Sequence, residues 1–184
     1  YRDSGVVTII MNLYRLINPK QVKIDFLVFQ GSNSARGINN SCVDMVRDAG
    51  SKVFILRNPL SVQKCIPAWI EVHLFFKEHA KEYDILHLNS PTLTEFTLKY
   101  AKKYGIQHRI IHSHSTMTSP NLIKKSINII LQRKVSTYAN HYWACSTEAA
   151  EFLYGHVFCT THDIELIKNA VDPEKYICDQ DIRE

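Results

Sequence analysis

AKKYGIQHRIIHSHST, residues 101–116, is the stretch on which the reading of the fold turns. Its first residues close a helix, which ends at Gly105. HRIIH, residues 108–112, then reads as a short buried strand. His112, Ser113, His114 and Ser115 carry that strand into a polar loop. A helix that stops on glycine and soon gives way to a strand belongs to a chain that alternates the two elements.

The same alternation runs outward in both directions. Upstream, DILHL (84–88) is a strand, and Ser90-Pro91 opens the helix that ends at Gly105, with serine as the cap and proline in the first turn. Before it, Ile66, Trp69, Ile70, His73 and Phe76 recur at helical spacing up to about Lys81. KVFIL (52–56) is a strand, residues 42–49 a short helix stopped by Gly50, and VKIDFLVF (22–29) a strand. Val6, Ile9, Ile10, Leu13, Leu16 and Ile17 form an apolar helical stripe that Asn18-Pro19 ends. Downstream, Ser119-Pro120 opens a long helix running to about Tyr138. HYWAC (141–145) is a strand, Ser146 caps the helix TEAAEFLYG, and IELIK (164–168) is the last strand. This pattern predicts an α/β fold, an open and mostly parallel sheet with helices on both faces.

The composition agrees. The chain has 184 residues, 45% hydrophobic and 22% charged, enough for one globular domain with a sizeable core. Six glycines and six prolines exclude a collagen-like or low-complexity chain. A net charge of +4 suits anionic small molecules or a membrane surface as well as nucleic acid. Nucleic acid is not expected, since no basic patch is interleaved with aromatics. No apolar run is long enough to span a bilayer. The five cysteines are odd in number and lack any CxxC pair, so reduced thiols are expected and a structural zinc site is not. The chain opens without Met, in the loop where a doubly wound domain would have its first strand, and is expected to be part of something larger. Its domain is placed at residues 1–170, with 171–184 beginning a link to a second domain.

Ligands of such sheets bind at the carboxyl ends of the strands. The candidates there are Ser4 and Gly5, Gln30 to Ser34, Asn89 and Ser90, His112 to Thr116, and Ser146. Ser4-Gly5 stands before the first helix, where free backbone N–H groups attract phosphate. A plain helix-entry turn would look the same. His112 and His114 share one side of an extended chain. They could be a metal pair, could include a strand-end histidine placed to hydrogen-bond a sugar or phosphate, or could be a core histidine at His112 and a solvent-facing one at His114. His87 and Asn89 share a face at another strand end and could line the same cleft, or simply bond backbone. Lys124, Lys125, Arg133 and Lys134 punctuate the helix IKKSINIILQRKV, read as a core helix with a solvated basic face rather than one lying on anionic lipid.

Read in order, SGVVTIIMNLYRLI, IDFLVF, AGSKVFIL, YDILHLNS, AKKYGIQHRIIHSHST, YANHYWACSTEAAEFLYG and IKNAVDPEKY resemble the N-terminal domain of the retaining GT-B glycosyltransferases of family four. They are most similar to the bacterial capsular and exopolysaccharide branch. The likeness covers nearly the whole chain. It departs at the first strand, which is absent, at Ser4 and Val7, where the family commonly has Gly and Glu, and in the absence of a C-terminal domain with its Glu-x7-Glu motif.

The resemblance implies a Rossmann-like sheet forming one half of a GT-B fold. It implies transfer of a sugar, with retention, from a nucleotide-sugar donor to a glycan or lipid-linked acceptor, with no metal and no cofactor. His114 would be the catalytic histidine at the donor sugar, and Ser4 and Gly5 would border the donor diphosphate. His87, Asn89 and Ser90 would line the acceptor side, and His112 would be scaffolding. The location implied is cytoplasmic, with peripheral contact at the inner face of the membrane as an option. This piece alone would be inactive. Two other readings of the residues remain open: a non-catalytic nucleotide- or sugar-binding α/β module, and an α/β interaction domain.

Overall fold

The computed structural model describes residues 5–29, 40–57, 65–89, 94–114 and 137–169. The chain is α/β, a Rossmann-like alternation of helices with parallel strands. Its elements are α1 (Gly5–Leu16), β1 (Phe26–Phe29), α2 (Asn40–Asp48), β2 (Val53–Leu56), α3 (Cys65–His79), β3 (Ile85–Leu88), α4 (Thr94–Lys103), β4 (His108–Ser113), β5 (His141–Ala144), α5 (Thr147–Tyr154), α6 (His156–Thr161) and β6 (Glu165–Leu166). β1 and β2 form a two-stranded sheet, and β3, β4, β5 and β6 a four-stranded one in that order. All neighbours in the four-stranded sheet are parallel. Most of the long helix expected after Ser119-Pro120 lies outside the described residues, and only Thr137 and Tyr138 are seen, both helical.

The chain divides into two compact units. The described residues of the smaller are 5–26, 40–53 and 169. Here α1 and α2 bring Met11, Val43 and Val46 against Phe26 and Val53, around a small apolar pocket that Cys42 also lines. The Ser51 hydroxyl donates to the Ile24 carbonyl, so the Tyr14 hydroxyl donates to Ser51, at 2.8 Å. α2 ends as expected: Gly50 has φ +88°, and the Gly50 and Ser51 amides return to the carbonyls of Arg47 and Val46.

The larger unit holds the four-stranded sheet and the residues that position a site. Strand alternation gives each strand two faces. Leu86 and Leu88 of β3, Ile111 of β4 and Ala144 of β5 point into the core. α3 supplies Val72 and Phe76 to that face, α4 supplies Leu98 and Ala101, and α5 supplies Ala149, Ala150 and Leu153. Ser113 joins the same face, its hydroxyl donating to the Ala149 carbonyl at 2.7 Å. By the same alternation Ile85, His87, Ile110, His112, His141 and Trp143 lie on the opposite face. Gly105, at φ +98°, closes α4 in the manner of Gly50, with the Gly105 and Ile106 amides on the carbonyls of Lys102 and Ala101.

Two devices tie the unit together at its ends. The Tyr154 hydroxyl lies between the carbonyls of Ile111 and Trp143, at 2.8 and 2.7 Å, and so joins α5 to β4 and β5. At the amino end of the sheet Arg109 reaches the carbonyls of Tyr138, Ile106 and Gln107 with its guanidinium, while Asn140 accepts from its backbone amide.

Candidate functional site

The opposite face of the sheet gathers four of the expected polar side chains. β3 and β4 run side by side with His87 opposite Ile110 and Leu88 opposite Ile111. Both strands end within a residue or two of that point, so Asn89 and His114 leave the sheet together at its carboxyl edge. His114 Nε2 lies 2.8 Å from Asn89 Oδ1. His87 Nε2 lies 3.3 Å from His112 Nδ1, and those two rings are nearly parallel, 5.4 Å apart. The rings of His112 and His114 are closer still, with centroids 3.9 Å apart. His87, His112 and His114 therefore form a row of three packed rings, the His114 ring tilted by 35° on His112 and bonded at its far end to Asn89.

Trp143 completes the group, and the sequence reading missed it. It stands opposite His112 in the β4–β5 register and presents an edge to both His87 and His112. HYWAC marks a strand, but which residue faces which across a parallel pair is not written locally. A tryptophan near a strand's carboxyl end was the available signal.

Burial sets the electrostatics. His112 is only 4% exposed, as a scaffold histidine in a central strand should be. Desolvation lowers its pKa to about 3, and the neighbouring His114 and His87 add to the effect. The Ile167 backbone acts weakly in the opposite sense, although no hydrogen bond of good geometry forms at His112 Nε2. His87 keeps an exposed outer edge, yet its ring is packed against His112 and Trp143. Desolvation there, followed by His114, brings its pKa down to about 4. Near neutral pH both rings are uncharged, and so are hydrogen-bonding rather than ionic partners. Among the described residues no three His, Cys, Asp or Glu side chains are grouped to hold a metal ion.

The other expected site residues fall elsewhere. Ser4, Ser90, Gln30 to Ser34, Ser115 and Thr116 lie outside the described residues. Gly5 begins α1 in the smaller unit, is exposed, and would meet nothing within 4 Å if it carried a Cβ. Ser146 caps α5, its hydroxyl accepting from the Ala149 amide at 3.2 Å, which accounts for it structurally. No helix among the described residues is long and apolar enough to cross a membrane.

Comparison with known proteins addresses what this arrangement belongs to. A family model described as Glycosyltransferase Family 4 matches residues 4–175. The chain is 25% identical over 182 residues to a Bacillus subtilis (strain 168) protein named "Putative glycosyltransferase EpsF". That match takes in 94% of this chain and 44% of the relative, so the chain spans less than half the length of the curated relative it matches. No solved structure matches.

Proposed function

The chain belongs to glycosyltransferase family 4, and from that premise we propose that it is the N-terminal, acceptor-side domain of a GT-B enzyme of polysaccharide biosynthesis. The enzyme moves a hexosyl group, with retention, from a nucleotide sugar to a glycan or lipid-linked acceptor, in the making of a capsule or a related polymer. Residues 1–170 form this domain, and residues 171–184 begin the link to a second domain that carries most of the donor contacts. The work is done in the cytoplasm, with the acceptor side able to meet the inner face of the membrane.

The observation that supports this reading is the meeting of His87, Asn89, His112 and His114 at the carboxyl edge of two adjacent parallel strands. That edge is where open α/β sheets bind ligands. In this reading His114 contacts the donor sugar and orients its anomeric carbon toward the acceptor. Positioning of this kind contributes several kcal/mol to lowering a barrier. Asn89, with His87 and Ser90, stands on the acceptor side. Ser4 and Gly5 offer amide N–H groups at the head of α1 to the donor diphosphate. Departure of the nucleoside diphosphate is assisted by such dipoles and by basic side chains, without a metal or cofactor. The domain on its own is inactive.

The test is a pair of variants in the full-length enzyme, each assayed for turnover and for thermal midpoint. Turnover is read as nucleoside diphosphate released from UDP-glucose, UDP-N-acetylglucosamine and GDP-mannose. His114→Ala lowers kcat strongly and the midpoint little. His112→Ala does the reverse, because its ring is buried in a central strand. If His112→Ala abolishes turnover at an unchanged midpoint while His114→Ala is silent, the two roles are exchanged. Silence of both removes the site from this edge.

A further inference from the structure

At the amino end of the four-stranded sheet, opposite the edge where His114 leaves it, two more histidines meet. His108 opens β4 and His141 opens β5. The register sets Ile110 beside His141, so His108 lies one alternation earlier on the same face of the sheet. His108 Nδ1 stands 3.1 Å from His141 Nε2, with ring centroids 5.3 Å apart and ring planes inclined by 39°. The backbone beneath them is tied. Asn140 Oδ1 accepts from the Arg109 amide at 2.7 Å, Asn140 Nδ2 donates to the Gln107 carbonyl at 2.8 Å, and the Asn140 amide donates to the Arg109 carbonyl at 3.1 Å. The residues that flank the two histidines thus hold each other, so the fold itself brings the rings together.

Two neutral imidazoles in contact share one N–H···N bond. The same two nitrogens can instead give their lone pairs to one ion. At a metal–nitrogen length of about 2.0–2.1 Å, two such nitrogens lie about 2.9 Å apart at a right angle and about 3.4 Å apart at the tetrahedral angle. The observed 3.1 Å falls between these. His108 is exposed and His141 half-buried, so water can fill the remaining positions of an ion held there. His87 and His112 approach almost as closely, at 3.3 Å, but His112 is buried and packed by His114 and Trp143. That pair lacks room for the solvent that an ion with two protein ligands needs.

We propose that His108 and His141 form a binding site for one divalent transition-metal ion, held through His108 Nδ1 and His141 Nε2, with water completing its coordination. Both rings stay neutral. The ring that donated in the N–H···N bond carries its proton on its other nitrogen once the ion is held. The usual order of stability favours Cu2+ over Ni2+ and Zn2+. The bound ion fastens β4 to β5 at their amino ends, at the far end of both strands from the candidate site.

The experiment uses tag-free full-length protein, as wild type, His108→Gln and His141→Gln, with Cu2+ as the probe. Glutamine keeps a polar side chain of similar length and offers no ring nitrogen. In the wild type the first equivalent of Cu2+ shows two imidazole nitrogens by electron paramagnetic resonance. In either variant that site weakens by at least about tenfold, the lower bound found even for partners outside the coordination shell. Circular dichroism establishes that each variant is folded. Independently of any variant, a small fraction of an equivalent of Cu2+ added to wild-type protein with 15N-labelled histidine broadens the ring signals of His108 and His141 before those of His87, His112 and His114. Wild-type affinity in a folded Gln variant overturns the proposal. So does a first equivalent with fewer than two imidazole nitrogens, or broadening that begins at other histidines.

Discussion

Buried imidazoles give the protein a built-in response to acid, and His112 is the more strongly shifted of the two beside His87. His112 has a pKa lowered from 6.5 to about 3 in the folded chain, by burial first and by His114 and His87 after it. Between those two values the unfolded chain binds the extra proton and the folded chain does not. Stability therefore rises with pH through that window. The contribution is complete above the ordinary histidine range and is lost as pH falls toward the folded value. One such group gives at most about 1.4 kcal/mol per pH unit. The thermal midpoint should drop from about pH 7.5 to about pH 5, and His112→Leu should flatten that slope. An equal slope in both proteins would exclude His112 as its source. At Gly5 the expectation concerns a ligand, not the fold. A Cβ there meets nothing within 4 Å, so Gly5→Val should change stability by no more than about 0.5 kcal/mol. If the head of α1 lies against the donor diphosphate, the same substitution abolishes transfer in the full-length enzyme. Wild-type turnover in Gly5→Val would remove the donor from that helix end.

Among the elements, β4 depends on its first residues as well as its last. Arg109 holds the carbonyls of Tyr138, Ile106 and Gln107 with one planar guanidinium. Lysine cannot present several fixed donors to separate carbonyls. Arg109→Lys should therefore cost about 1–3 kcal/mol, the penalty for leaving such partners unmade, measured by chemical denaturation, with turnover per folded molecule unchanged. A loss within experimental error would show those carbonyls to be satisfied by water. The elements themselves were largely legible. Gly50 is the left-handed stop expected there, Gly105 ends the helix expected to end on it, and Ser146 caps the helix it precedes. The strand expected over residues 22–29 begins only at Phe26, and Val22 is 47% exposed. Hydrophobicity marks a segment able to pair, while partners decide how much of it does. α6 was not foreseen, because HVFCTT carries β-branched residues and no helical stripe. It is held through Phe158, which packs on Tyr142 and stacks on His162. For the site, the two strand ends were readable one by one. Their meeting, and the arrival of Trp143, depend on register between strands that lie far apart in sequence.

At the scale of the whole molecule, the four-stranded sheet has two ends of different character. β6 is only two residues long, and Glu165 and Leu166 are both exposed. So short an edge, with a carboxylate on it, gives another chain little to pair with. β3, at the other end, is paired only with β4 among the described residues, and its Ile85 is 52% exposed. An exposed apolar side chain on a strand is one contact on which a second copy of the chain can stick. The chain expressed by itself should self-associate as its concentration rises. Ile85→Lys should raise the concentration at which light scattering first appears, with little change in the circular dichroism of the folded protein. Unaltered scattering in that variant would locate the sticking surface elsewhere. The exposed Ile85 lies on β3, the strand that also delivers His87 and Asn89, so sticking through it during synthesis, before β4 has paired, would hold back the strand that builds the site.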